Sequence, residues 1–124
     1  MIALTEDKRM LGYGVMTPYS NIFCFATTRR GGFSKGDYAS FNCTPYTGDN
    51  AESVRRNQEL LCSCMPQHPK ELVIPFQTHG TKVEVIDEKY LNATSDERTA
   101  MLQGVDALIT KEPGCCICIS TADC

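Results

Sequence analysis

The stretch Cys115–Ser120, CCICIS, is apolar at five successive positions, on both faces of any strand it could form. A strand of that kind is expected to be buried on both sides, so the sheet that contains it needs covering layers. The rest of the chain offers the parts. Residues 22–28 (IFCFATT), 72–76 (LVIPF), 82–86 (KVEVI) and 105–110 (VDALIT) read as further strands. Pro75 marks the second of these as an edge or a bulge. Asp49 with Glu52 three residues later predicts a helix start, and Ala51, Val54, Leu61, Cys62 and Met65 fall near one helical face before Pro66 ends it. Residues 34–48 read as an ordered loop anchored by Tyr38, Phe41 and Tyr46, and residues 87–103 are polar with no clean period. Strands outnumber helices. The expected fold class is α+β, a mixed β-sheet with covering helices.

Bulk properties narrow the function. A chain of 124 residues makes one domain with a real core. Twelve basic against fifteen acidic residues give a net charge of −3, without the clustered basic face that nucleic acid calls for. No apolar run approaches the roughly 20 residues of a membrane span, and the acidic N-terminal stretch is unlike an export signal. A cytoplasmic location is expected, with no nucleic-acid or membrane partner. The eight cysteines contain no Cys-x-x-Cys spacing. In a reducing compartment most are read as small buried hydrophobes.

Two residues stand out for chemistry. His79 lies at a strand end and precedes Gly80, whereas His68 sits between prolines in a solvated loop. Cys124 follows the CCICIS strand through Thr121 and Asp123, where a thiolate can act as a nucleophile or a metal ligand. Brought together from distant strand ends, a cysteine and a histidine suit either a thiol hydrolase or a zinc site.

The segments TTRRGGFSKGDYASFN, GDN, AESVRRNQELL, PFQTHG, GVDALIT and STADC, in that order, resemble the YfiH-like laccase-domain family from about Thr27 to the last residue. The resemblance implies the α/β sandwich of that family, with residues 1–124 as the N-terminal portion of a single laccase-type domain, incomplete at the C-terminus. It implies a purine nucleoside enzyme: phosphorolysis of adenosine, inosine, guanosine and methylthioadenosine, and deamination of adenosine. Purine nucleoside and phosphate are the implied partners, and homo-oligomerisation is left open. It also implies a zinc ion held by two histidines and a cysteine.

Residue by residue, His79 matches the histidine of the Gln-x-His-Gly motif and Cys124 the cysteine of Thr-Ala-Asp-Cys. Both are implied as metal ligands and catalytic residues. The third ligand belongs to a later His-Ala-Gly-Trp-Arg-Gly segment of the family, which this chain, with no tryptophan, does not contain. Arg29 is the implied anion or substrate contact. Asn42, Ser34 and Gln77 are further substrate-binding candidates, and Asp123 is a candidate partner for the metal ligands. Arg56 and Asn57 are read as holding neighbouring loops. With two ligands of three, the chain alone is expected to be inactive and poorly soluble or oligomeric. Three alternatives accompany this reading: a copper-dependent polyphenol oxidase, a non-catalytic nucleoside-binding fragment, and a metal-independent hydrolase with Cys124 as nucleophile and His79 as base.

Overall fold

The computed structural model describes residues 1–121, so Asp123 and Cys124 lie outside the described residues. The chain divides into two compact units, Met1–Pro66 and Gln67–Cys124. Parallel and antiparallel strand pairing both occur, together with helices, giving a mixed α/β architecture.

In the first unit, β1 (Ile2–Ala3), β2 (Met10–Gly12) and β3 (Phe25–Thr27) form an antiparallel sheet in that order. Leu11 faces Ala26 and Gly12 faces Phe25. The strand expected over 22–28 is therefore confined to its last part. Ile22 and Phe23 precede it with exposed side chains.

Helix α1 (Ala51–Ser63) begins one residue later than the sequence suggests. Asn50 is the N-cap, its side chain accepting from the Ser53 amide at 3.0 Å. Asp49 does not cap, because its carboxylate is engaged with Ser34 and Asn42. The helix buries Val54, Leu61 and Cys62, but also the polar Asn57, which is 0% exposed.

That asparagine is satisfied on every side. Its Oδ1 accepts from the Phe33 amide at 2.7 Å, and its Nδ2 donates to Ser34 Oγ, Ser40 O and Asn42 O. A buried polar group needs such partners, and here three of the four are main-chain groups of a loop that lacks a ladder of its own, the fourth being the Ser34 hydroxyl. Close packing in this loop also explains Gly32, where a Cβ would sit 2.2 Å from the Ser40 carbonyl oxygen. Arg56 stacks its guanidinium 3.9 Å from the Phe33 ring centroid on the same loop.

In the second unit, β4 (Glu71–Val73) pairs in parallel with β7 (Cys115–Ile117), and β5 (Lys82–Ile86) in parallel with β6 (Val105–Thr110). Parallel neighbours need a crossover. Between β5 and β6 it is made by α2 (Glu88–Leu91) and α3 (Ser95–Met101), where a polar, aperiodic stretch was expected. Helix α3 starts on a capping box formed by Thr94 and Glu97. Arg98 ties the pieces together by donating to the Tyr90 and Leu91 carbonyls at the end of α2 and to Glu71 of β4. The core is Val73, Ile86, Tyr90 and Leu102, with Leu91, Met101, Leu108 and Cys115 packed against it.

Strand β7 departs from expectation in length and burial. It ends at Ile117, and its two cysteines are only half-buried, with Ile117 and Ile119 exposed. The other face of the β5–β6 pair is likewise open, with Val83 49%, Val85 51% and Ile109 57% exposed. Within the described residues these apolar positions have no covering layer.

Replacing Asn57 by Ala would strand the Phe33 amide and two carbonyls while opening a small void. The expected cost is about 3 kcal/mol. Denaturant unfolding together with amide exchange over residues 33–42 would register it, with Asn50→Ala, a lost cap worth about 1 kcal/mol, as the milder comparison.

Candidate functional site

The expected site residues fall in two places, one in each unit. In the second unit, the main chain from Phe76 to Lys82 runs beside residues 102–106. The Phe76 amide donates to the Leu102 carbonyl at 3.0 Å and Lys82 Nζ to the Gln103 carbonyl at 3.3 Å. The register then slips. Lys82 faces Val105 but Val83 faces Ala107, so Asp106 is the extra residue of a β-bulge. Bulges re-aim side chains.

The Asp106 carboxylate receives three successive main-chain amides. Oδ1 accepts from His79 at 3.0 Å; Oδ2 accepts from Thr78 at 3.3 Å and Gly80 at 2.9 Å. These bonds, the one from Gly80 foremost, hold its carboxyl below the usual carboxylate range. They also explain how His79 can occupy a left-handed conformation at φ 60°, an uncommon state for a residue with a Cβ. His79 is exposed at the tip of this turn.

Gln77, one step earlier, uses both ends of its carboxamide on one residue. Its Nε2 donates to the Ser120 carbonyl at 3.1 Å, and its Oε1 accepts from the Ser120 amide at 2.7 Å. This is the hydrogen-bond pattern of a strand partner, supplied by a side chain. It secures the segment that continues in sequence to Cys124. The resemblance implies Gln77 as a substrate contact; in the structure both its polar atoms bond to Ser120. Asp106 is a functional candidate to which the resemblance assigns no role; its signal in the sequence is a lone carboxylate inside the apolar run VDALIT.

In the first unit, Ser34 is buried and its hydroxyl donates to Asp49 Oδ2 at 2.5 Å. Asn42 Nδ2 donates to the same oxygen at 3.2 Å and to Thr47 Oγ1 at 3.0 Å. The Ser34 hydroxyl, followed by the Asn42 amide and the Asn50 main chain, keeps the Asp49 carboxyl low. Arg29 is exposed; its Nε donates to the Ala39 carbonyl at 3.0 Å, and its own carbonyl accepts from the Ser40 and Phe41 amides. The structure thus gathers Ser34 and Asn42 around Asp49, and in the other unit Gln77 and His79 around Asp106.

For a metal, the described residues offer one of the expected donors, the His79 imidazole. Among the described residues, no group of three or more His, Cys, Asp or Glu side chains could hold an ion. A catalytic zinc usually takes three protein ligands, so this set is short of a centre. His68, by contrast, is exposed with Nδ1 3.0 Å from the Pro69 carbonyl oxygen. Burial pushes the half-buried Cys43 thiol up to about 12, with Cys62 adding to the shift, so it stays protonated at neutral pH.

A family model described as "Multi-copper polyphenol oxidoreductase laccase" matches residues 23–124. A purine nucleoside phosphorylase of Bacteroides thetaiotaomicron is 64% identical over 124 residues, which is 100% of this chain and 46% of that protein. The adenosine deaminase RL5, from an unknown prokaryotic organism, is 39% identical over 81% of this chain and 38% of its own length. Among solved structures, YlmD from Geobacillus stearothermophilus aligns with a TM-score of 0.72 at 28% identity, covering 86% of this chain and 40% of that one. The chain therefore spans less than half the length of these relatives.

Two outcomes test the geometry. Asp106→Ala should raise amide exchange at residues 78–80 by at least about tenfold, on the order of one lost hydrogen bond each, while β5 and β6 stay protected. For Asp49, a folded-state pKa below the unfolded value means that its contribution is complete above the unfolded value of about 3.9. That contribution is lost as pH falls through the lower folded value. Unfolding of the first unit followed across that acidic window should show this loss in the wild type and not in Asp49→Asn.

Proposed function

The chain belongs to the multi-copper polyphenol oxidoreductase laccase family, and we propose that it is the N-terminal portion of a single laccase-type domain whose complete form is a zinc-dependent purine nucleoside enzyme. The reactions proposed are phosphorolysis of adenosine, inosine, guanosine and methylthioadenosine, and deamination of adenosine. The observation that carries this is the 64% identity, along the whole of this chain, to a protein named purine nucleoside phosphorylase. The adenosine deaminase relative supports the second reaction. The family match runs through both compact units, which supports one domain over two.

In this reading His79 and Cys124 give a nitrogen and a sulfur donor, a set that suits zinc, and the third ligand comes from residues beyond this sequence. A bound zinc would polarise substrate and supply a hydroxide nucleophile near neutral pH. The other roles belong to the chain's own residues. Arg29, exposed beside the Gly31–Gly32 turn, contributes cationic donors for phosphate. Ser34 and Asn42 shape the substrate loop around Asp49. Gln77 fixes the segment leading to Cys124, and Asp106 fixes the turn carrying His79. The nucleoside and phosphate are small soluble partners, and the proposed setting is cytoplasmic; separately, no helix among the described residues is long and apolar enough to cross a membrane.

Copper in place of zinc is the second reading, favoured by the wording of the family model. Metal analysis of a longer form carrying the third histidine, with product chromatography after incubation with adenosine and phosphate, separates the two. Zinc with release of adenine or inosine is the expected result. Copper with phenol oxidation and no nucleoside turnover would overturn the proposal. In that longer form His79→Ala should lower kcat more than the 10–100-fold that outer-shell substitutions usually cost. The 124-residue chain alone should turn over nothing.

A further inference from the structure

The half-buried thiols at the end of β7 are not used by any role proposed above. Cys116 and Cys118 are two residues apart in extended chain, so their side chains leave the same face. Their sulfurs lie 3.7 Å apart and share a hydrogen bond. Cys115 takes the opposite face, against the core of the second unit. The pairing with β4 continues past the strand proper, the Cys118 amide donating to the Val73 carbonyl at 2.9 Å. Two residues further on is Ser120, held by the Gln77 carboxamide.

We propose that Cys116 and Cys118 form a redox dithiol, a modification site that closes to an intrachain disulfide by exchange with a low-molecular-weight disulfide. Two steps complete the exchange. The Cys116 thiolate attacks one sulfur of the small disulfide, forming a mixed disulfide and releasing one small thiolate. The Cys118 thiolate then attacks Cys116 Sγ, forming the Cys116–Cys118 bond and releasing the second. The protein loses two electrons and two protons, and the small disulfide is reduced to two thiols. Cys116 is placed as the attacking group because the hydrogen bond from Cys118 favours its thiolate, whereas burial, first among the causes, pushes Cys115 the other way.

Closure has a structural consequence. A disulfide needs an S–S distance of about 2.05 Å and α-carbons no further apart than about 6.8 Å. Extended residues two apart stand at about 6.6 Å, inside that limit but longer than the usual span of about 5.5–6 Å, and the sulfurs have still to close from 3.7 Å. Closure therefore draws the end of β7 towards the shorter span, which weakens the Cys118–Val73 hydrogen bond and draws on Ser120. Disulfides under such strain are readily reduced again. The dithiol state is thereby coupled to the Gln77 clamp, two residues before His79, and this coupling does not depend on the nucleoside reading.

The test uses the full chain and glutathione disulfide. After incubation, remaining thiols are alkylated and the protein is mapped by mass spectrometry. Expected is the loss of two hydrogens and of two alkylatable thiols, located to Cys116 and Cys118, with faster amide exchange at Cys118. In Cys118→Ser closure should be lost and a mixed disulfide trapped on Cys116. The proposal is overturned if the wild type carries a stable mixed disulfide with Cys118 still alkylatable. A new bond to Cys115 or Cys124 in place of this pair, or no reaction at Cys116, overturns it equally. If the variant fails to fold, the wild-type digest decides alone.

Discussion

The second unit is organised by one residue too many in a parallel strand pair. Because β6 carries Asp106 where β5 has no partner for it, the carboxylate turns out of the ladder and towards the main chain of residues 78–80. Without it, three amides would lose the acceptor they share, and a histidine with positive φ would lose hydrogen bonds that offset its strain. The bulge, the turn and the entry into β5 are one device. Gln77 extends the device to Ser120 in the same way, with a side chain standing in for a strand.

The first unit solves a similar problem from a helix. Its long loop lacks regular hydrogen bonding, and Asn57, inserted from the buried face of α1, supplies donors and an acceptor in the required directions. Asp49 gathers Ser34 and Asn42 on the neighbouring stretch. In both units the residues of interest for function sit on irregular backbone made rigid by a single amide or carboxylate. Such an arrangement can hold a ligand-binding loop in place without covering it.

Much of this was legible in the sequence, and what was not has physical reasons. Strands β5 and β6 occupy their full expected spans, and α1 buries Val54, Leu61 and Cys62 of its expected apolar face but ends at Ser63, before Met65 and Pro66. The helix start was misplaced by one residue because Asp49 and Asn50 are both good caps, and tertiary hydrogen bonds decided between them. Strands β1 and β2, of two and three residues, are too short to show a period. Helices α2 and α3 are short enough to hide theirs, although Thr94 and Glu97 carried a readable start signal. Of the candidate site, the Gln77–His79 turn was visible as a motif, but its anchor was not. A bulge is a property of register, and register does not show in one strand's sequence. The CCICIS run is apolar on both faces, yet Ile117 and Ile119 are exposed, because hydrophobicity says only what a segment would bury given a neighbour.

The parallel pairing of β4 with β7 has a bearing on how the chain comes to be folded. The first strand of the second unit can find its partner β7 only after β5, α2, α3 and β6 have been made, since these lie between the two in sequence. Closing so long a loop is a slow, entropically costly event compared with forming a hairpin. While β4 waits, its edge and the apolar face of β5 are open to other chains. During synthesis on the ribosome the second unit thus has an obligatory exposed interval, whereas the antiparallel sheet of the first unit can pair as it emerges.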